Sequence, residues 1–162
     1  MTGAGEWADI RVAKVAKTNI SLLMKRMELS GVPIGYAHGL KRISITPIDS
    51  CDDGLYHNDR IKVSCRDDVS RDLCQVLAHE LAHHLHDHKA IEVSSSLRRE
   101  FRRRARFLPD SYARESVYEY VAVGFEVYYF ANEKTRSRMR TKNPVLYSLI
   151  KKTHKQHLNS GI

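Results

Sequence analysis

Residues 76–85 of the chain read Val-Leu-Ala-His-Glu-Leu-Ala-His-His-Leu and contain the pattern His-Glu-x-x-His. On a helix, His79 and His83 lie one turn apart on the same face, so both imidazoles can bind one metal ion. Leucines recur at every fourth residue from Leu73 to Leu85 and form a separate stripe that can face a core. The pattern therefore predicts an amphipathic helix that carries two ligands of a zinc ion.

Glu80 lies beside the two histidines on this predicted helix. A glutamate in this position can accept a proton from a water that zinc has activated, and a purely structural zinc site has no need of such a base. The motif thus favours hydrolysis over a structural or partner-binding zinc domain. The histidines that follow, His84, His86 and His88, could be extra metal ligands, but surface positions are the favoured interpretation. Asp87 is a candidate to hydrogen-bond a ligand imidazole.

The segments before this helix predict one helix and two strands. Residues 7–29 place apolar groups three or four positions apart, which indicates an amphipathic N-terminal helix that ends near Gly31. Residues 42–46 and 60–65 alternate apolar and polar groups, as half-buried strands do. The Asp-rich stretch between them, up to Gly54, predicts a loop.

The segments after the motif predict helices only. Serines at 94–96 interrupt the chain before an arginine-rich helix, and a further helix is expected over about residues 116–132. Pro144 opens the last helix, which runs to about His157. The order of one helix, a small sheet and then helices is typical of an α+β domain, and we expect one domain over residues 1–162.

Composition argues against a membrane protein and favours a reducing compartment. No apolar run approaches the ~20 residues that a membrane-spanning helix needs. The first residues lack the basic and apolar regions of a signal peptide. Cys51, Cys65 and Cys74 cannot all pair within one chain and are predicted to be reduced thiols. We therefore expect action inside a cell, including a host or target cell, without membrane contact.

The net charge of +8 comes mostly from one segment. Residues 98–106 contain six arginines and one glutamate, a local charge of +5, so the rest of the chain carries only +3. This segment is either a solvated helix face or the site of an anionic partner. Such a partner would be either a substrate with acidic residues or a nucleic acid.

The third zinc ligand is expected on the helix after Pro109. Glu115, Glu119 and Glu126 would share one face if the whole segment were helical, so periodicity does not choose between them. Ser116 and Glu119 also fit a capping box, which would give that glutamate a purely structural role.

Two stretches of this region resemble a known family. Residues 111–114 read Ser-Tyr-Ala-Arg, and residues 119–125 read Glu-Tyr-Val-Ala-Val-Gly-Phe. Together with His-Glu-x-x-His they are similar to the family of anthrax lethal factor and the Pro-Pro endopeptidases, which are zinc metallopeptidases. The resemblance covers residues 70–155 at best. It implies an α+β zincin-like domain with an N-terminal helix, a small sheet, an active-site helix and C-terminal helices.

The resemblance also implies roles for single residues. Glu119 matches the family's third zinc ligand, with Glu126 as the next candidate. Tyr112 matches a tyrosine that donates a hydrogen bond to the reacting carbonyl oxygen. The family's second glutamate, four residues after the ligand, is Val123 here, which puts a supporting hydrogen bond in doubt.

These observations predict a zinc-dependent endopeptidase in which Glu80 is the general base for a metal-activated water. The substrate would be a protein or peptide that binds extended along a sheet edge, and residues 60–65 are a candidate edge strand. The alternative is a basic zinc protein associated with nucleic acid, or a peptidase that acts on DNA-bound proteins.

Overall fold

The computed structural model of the chain describes residues 9–12, 20–47, 54–65 and 70–158. Its sheet has four short strands in the order β1-β2-β4-β3. The strands are β1 (Asp9–Val12), β2 (Arg42–Pro47), β3 (Gly54–His57) and β4 (Arg60–Cys65). The first, second and fourth run parallel, and β3 pairs antiparallel with β4. The two strands predicted from alternation, β2 and β4, are therefore confirmed.

A tight hairpin joins β3 to β4 and fixes which strand lies at the edge. Its turn residues, Asn58 and Asp59, have φ values of 50° and 60°. A two-residue turn with both φ values positive matches the twist of the strands, and Asn and Asp tolerate this conformation best after Gly. β4 consequently lies between β2 and β3. The candidate edge strand, residues 60–65, therefore does not lie at the edge, because β3, whose sequence lacks an alternating pattern, occupies that edge.

The described part of the chain has six α-helices. They are α1 (Ile20–Leu29), α2 (Ser70–Asp87), α3 (Ser95–Arg104), α4 (Val117–Phe130), α5 (Glu133–Lys142) and α6 (Pro144–Leu158). Of these, α2 packs against the sheet and against α4. Side chains of Ser94, Ser116 and Asn132 accept hydrogen bonds from the first turns of α3, α4 and α5. The predicted motif helix, arginine-rich helix and last helix are confirmed. The sequence of α5 has no apolar stripe, so periodicity does not predict this helix. Met139 is its one buried residue.

The predicted N-terminal helix over residues 7–29 is only partly right. Ile20–Leu29 is helical, but Asp9–Val12 is a strand that pairs in parallel with β2. Ile10 and Val12 are β-branched and alternate with polar residues, which suits a strand as well as the helical spacing does. Residues 7–8 and 13–19 of the predicted helix lie outside the described ranges.

The motif helix α2 contacts both the sheet and α4. Its leucine stripe, from Leu73 to Leu85, is at most 5% exposed, as predicted. Across from it, β2 and β4 bury Ile43, Ile45, Ile61 and Val63, each 1% exposed. Burial of one such side chain contributes about 1.5–3 kcal/mol. The sheet thus fixes one face of α2 and leaves its histidines toward α4.

A buried carboxylate joins three of the C-terminal helices. Glu100 on α3 is 7% exposed and accepts hydrogen bonds from the backbone N–H groups of Val145 and Leu146, both at 2.9 Å. These are donors of the first turn of α6, which have no partner within their own helix. The Tyr120 hydroxyl of α4 donates to the same carboxylate at 3.0 Å. Glu100 therefore acts as the N-terminal cap of α6.

No helix in the described ranges has the length and apolar character that crossing a membrane requires. Of the three cysteines, Cys74 is a free and buried thiol. Burial raises its pKa to about 11, so this thiol stays protonated at neutral pH.

Replacing Glu100 by Ala should destabilise the fold by on the order of 3 kcal/mol, because buried donors of α4 and α6 lose their acceptor. Urea unfolding followed by circular dichroism measures the change. Glu92→Ala is the matched control, since Glu92 is exposed and should change stability by less than about 0.5 kcal/mol. Equal unfolding midpoints for the two variants would show that the carboxylate does not hold α6.

Candidate metal centre

His79 and His83 lie one turn apart on α2, on the face turned toward α4. Their ring centroids are 5.0 Å apart. Their side chains are 12% and 22% exposed, so each is largely buried but reachable from solvent. The i, i+4 spacing thus brings both imidazoles to one place, as the sequence predicts.

Glu119 reaches both histidines from the first turn of α4. Its Oε2 lies 2.9 Å from His79 Nε2, and its Oε1 lies 3.4 Å from His83 Nε2. One ligand atom from each of these three residues lies within 4.8 Å of the others. Two imidazoles and one carboxylate form a donor set that catalytic zinc sites use. The chemistry and the convergence of these residues therefore fit a zinc ion.

Glu126 supports this cluster from two turns further along α4. Its Oε1 lies 2.7 Å from His79 Nδ1, the ring nitrogen that faces away from Glu119. A carboxylate on the far nitrogen of a ligand histidine orients the ring and makes it a better donor to metal. Val123 is buried among apolar residues, and Glu126 is the residue of α4 that hydrogen-bonds His79 Nδ1. Sequence periodicity placed Glu126 on this face but could not assign it a partner.

The two carboxylates set the charge of His79. Burial lowers the pKa of this imidazole, but hydrogen bonds to Glu119 and Glu126 outweigh burial and raise the pKa to about 10. Burial likewise opposes ionisation of Glu119, yet hydrogen bonds from His79 and His83 lower its pKa to about 2. The cluster is thus an imidazolium held between carboxylates, and a metal at Nε2 would take the place of its proton.

Glu80 is buried beside this cluster and held by the edge strand. It is 6% exposed, and the backbone N–H of Tyr56 on β3 donates a hydrogen bond to its carboxylate. Burial raises the pKa of Glu80. A Cβ at Gly54 would lie 2.5 Å from Glu80 Oε1 and 2.5 Å from Val76 Cγ1. Only glycine allows β3 to approach Glu80 this closely.

Tyr112 lies at the open side of the cluster. It belongs to a short 3-10 helix, Ser111–Arg114, which the side chain of Asp110 caps by accepting from Tyr112 N. The ring centroid of Tyr112 is 6.1 Å from that of His79, and Tyr112 is 46% exposed. A substrate above the histidines would therefore meet this side chain.

The remaining candidates from the sequence lie elsewhere. Glu115 is exposed and precedes α4, so it does not share the face of Glu119. Asp87 accepts a hydrogen bond from the Tyr56 hydroxyl at 2.8 Å and does not touch His79 or His83 in the described contacts. The prediction of surface histidines is wrong for His84, which is 1% exposed.

Comparison with known proteins gives a family match and a structural neighbour. A family model described as anthrax toxin lethal factor, N- and C-terminal domain, matches residues 48–153, about two thirds of the chain. No curated protein sequence matches. A crystal structure from Bacteroides caccae ATCC 43185, provisionally described as a zinc-binding metallo-peptidase, has a TM-score of 0.57 at 14% sequence identity. It covers 96% of this chain and 80% of that chain, and it confirms the α+β zincin-like fold.

The zinc affinity of two variants should separate a ligand from its supporting residue. Glu126→Ala removes only the hydrogen bond to His79 Nδ1 and should weaken zinc binding about 10–100-fold. Glu119→Ala removes a proposed ligand and should weaken it further. Competition with a chromophoric chelator measures both, with the exposed Glu115→Ala as control. A larger loss for Glu126→Ala than for Glu119→Ala would exchange the two assignments.

Proposed function

Because the chain belongs to the family of the anthrax toxin lethal factor, N- and C-terminal domain, we propose that it is a zinc-dependent endopeptidase. His79, His83 and Glu119 would hold the metal. The observation that carries the proposal is the convergence of these three side chains within 4.8 Å, beside the buried carboxylate of Glu80. A structural zinc site would have no use for that carboxylate.

Zinc, when bound, would polarise the scissile carbonyl and lower the pKa of a water. Glu80 then accepts a proton from the attacking water and passes it to the leaving amine, so that one peptide bond breaks and no proton is gained or lost. Its burial suits this role, because a raised pKa brings the carboxylate closer to the pH at which it works. The hydrogen bond from Tyr56 N keeps the carboxylate in position.

Tyr112 is suited to stabilise the oxygen that becomes negative during the reaction. Tyr112 lies beside His79 and is 46% exposed, so a substrate bound at the histidines can contact its side chain. A hydrogen bond that strengthens as charge develops lowers the barrier instead of merely tightening binding.

The substrate would be an extended peptide that adds to β3. Within the described ranges this strand pairs with β4 alone, so its other edge would accept a further strand in the manner of β-augmentation. Gly54 brings the same strand against Glu80. A peptide along β3 would thus pass close to the general base.

Glu80→Gln should reduce cleavage of a diverse peptide library about 10²–10⁴-fold while leaving zinc content unchanged. Tyr112→Phe should reduce kcat by about 10²–10³ through loss of one oxyanion donor. Mass spectrometry of the products measures both. Tyr118→Phe is the matched control, since Tyr118 is a 39% exposed tyrosine beside His86. Equal cleavage by wild type and Glu80→Gln would overturn the assignment of the base.

A second candidate function is association with nucleic acid through α3 and the residues after it. All six arginines of residues 98–106 are exposed. The one glutamate of the segment, Glu100, is buried and accepts a hydrogen bond from the first turn of α6. The outward face is therefore more basic than the local charge of +5 suggests. Such a surface attracts phosphates without reading sequence.

The double variant Arg102→Glu, Arg103→Glu should weaken DNA binding at low salt and flatten its salt dependence, by about one unit of slope per lost phosphate contact. Fluorescence anisotropy with duplex and single-stranded DNA measures this. Lys151→Glu, Lys152→Glu makes the same charge change at exposed positions of α6 and is the control. Wild-type protein that binds neither form of DNA at low salt would eliminate this candidate.

A further inference from the structure

We propose that the chain has a second metal site, formed by Asp59, His84 and His88, for a transition-metal dication of the zinc type. One ligand atom from each residue lies within 4.8 Å of the others. The site shares no residue with the cluster around His79 and does not depend on the proposed peptidase function. It joins the turn of the β3–β4 hairpin to the last turn of α2.

His84 is the buried member of this group, and its ring orientation suits metal binding. Its Nε2 lies 2.9 Å from the backbone carbonyl oxygen of His38. A carbonyl oxygen can only accept, so Nε2 carries the proton and donates it. Nδ1 is then left with a lone pair, and this nitrogen is the atom of His84 that a metal between Asp59 and His88 would use. Histidines that bind metal usually donate their other N–H to just such a carbonyl or carboxylate.

Among the described residues, the contact of His84 Nδ1 is with the Tyr56 hydroxyl, which is a weak donor to it. The Tyr56 hydroxyl lies 3.5 Å away, but its single proton serves the shorter bond of 2.8 Å to Asp87 Oδ2. Lone pairs of His84 and Tyr56 therefore face each other across this gap. The long contact with Tyr56 is a weak partner for this lone pair, and a cation would be a stronger one.

Asp59 and His88 complete the donor set. His88 follows His84 by one helical turn, and their ring centroids are 4.4 Å apart. Asp59 Oδ1 lies 2.6 Å from His88 Nε2, while Lys41 Nζ holds the other oxygen, Oδ2, at 2.8 Å. Lys41 thus turns Oδ1 toward the histidines. A metal would displace the proton between Oδ1 and Nε2 into solvent. Two imidazoles and one carboxylate oxygen suit zinc, cobalt or nickel.

A metal bound by these three residues would link the hairpin to the C-terminal end of α2. Asp59 occupies the two-residue turn of the hairpin, and Tyr56 of the same hairpin donates its backbone N–H to Glu80. The metal would hold β3 in the place where it contacts the general base. Without a metal, the link between the hairpin and the end of α2 would rest on hydrogen bonds such as those of Asp59 with His88 and of Tyr56 with His84 and Asp87.

The test is the zinc stoichiometry of purified metal-free protein titrated with Zn²⁺ alone and measured by atomic emission. Wild type should bind two equivalents. Asp59→Asn and His88→Gln should each bind one, and His79→Ala should also bind one. The double variant His79→Ala, His88→Gln should bind none. His57→Gln replaces an exposed histidine of the same hairpin and should keep two.

Thermal unfolding gives a second readout. Saturating zinc should raise the Tm of His79→Ala, because only the second site remains to stabilise the fold, and should not raise that of the double variant. His88 is 44% exposed, so its replacement leaves the core intact. An unchanged zinc count in His88→Gln would overturn the second site. An unchanged count in His79→Ala would instead overturn the first site and leave the second standing.

Discussion

The pairing of His79 with two carboxylates of α4 is the constraint on which the candidate site depends. Glu119 lies at one ring nitrogen and Glu126 at the other. An unpaired charge in such a buried place costs several kcal/mol, so neither helix can rotate or slide without breaking a pair. The sheet holds the opposite face of α2 through its leucines. The site therefore lies at the contact between α2 and α4, and β3 packs against one side of it.

Much of this arrangement follows from periodicity. The spacing of His79 and His83 and the leucine stripe fix which face of α2 meets the sheet, since a helix turns about 100° per residue. Periodicity left three glutamates open for the third position, and resemblance alone favoured Glu119. The partner of Glu126 depends on the distance between two helices far apart in sequence. Local pattern carries no information on that distance, so this contact emerged only from the structure.

The errors of the sequence analysis have a common physical origin, which is tertiary pairing of short segments. Asp9–Val12 is a strand because β2 offers it a parallel partner, although its apolar spacing also fits a helix. β3 shows no alternation of apolar and polar residues in its sequence. It forms because a tight turn lets it pair with β4. His84 is buried because this hairpin and the carbonyl of His38 cover it. Glu100 likewise does not contribute to the surface charge, because it is buried against the N-terminus of α6.

α2 carries two histidine pairs at helical spacing, and their offset decides what each can do. His84 and His88 follow His79 and His83 by five residues, which rotates them by about 140° around the helix axis. The two pairs therefore cannot share one ion, and each draws its carboxylate from a different neighbour. Glu119 comes from α4, whereas Asp59 comes from the hairpin that also holds Glu80. A metal bound by Asp59, His84 and His88 would order this hairpin and so act on the position of Glu80, the proposed general base. The residues around His79 would stay in place.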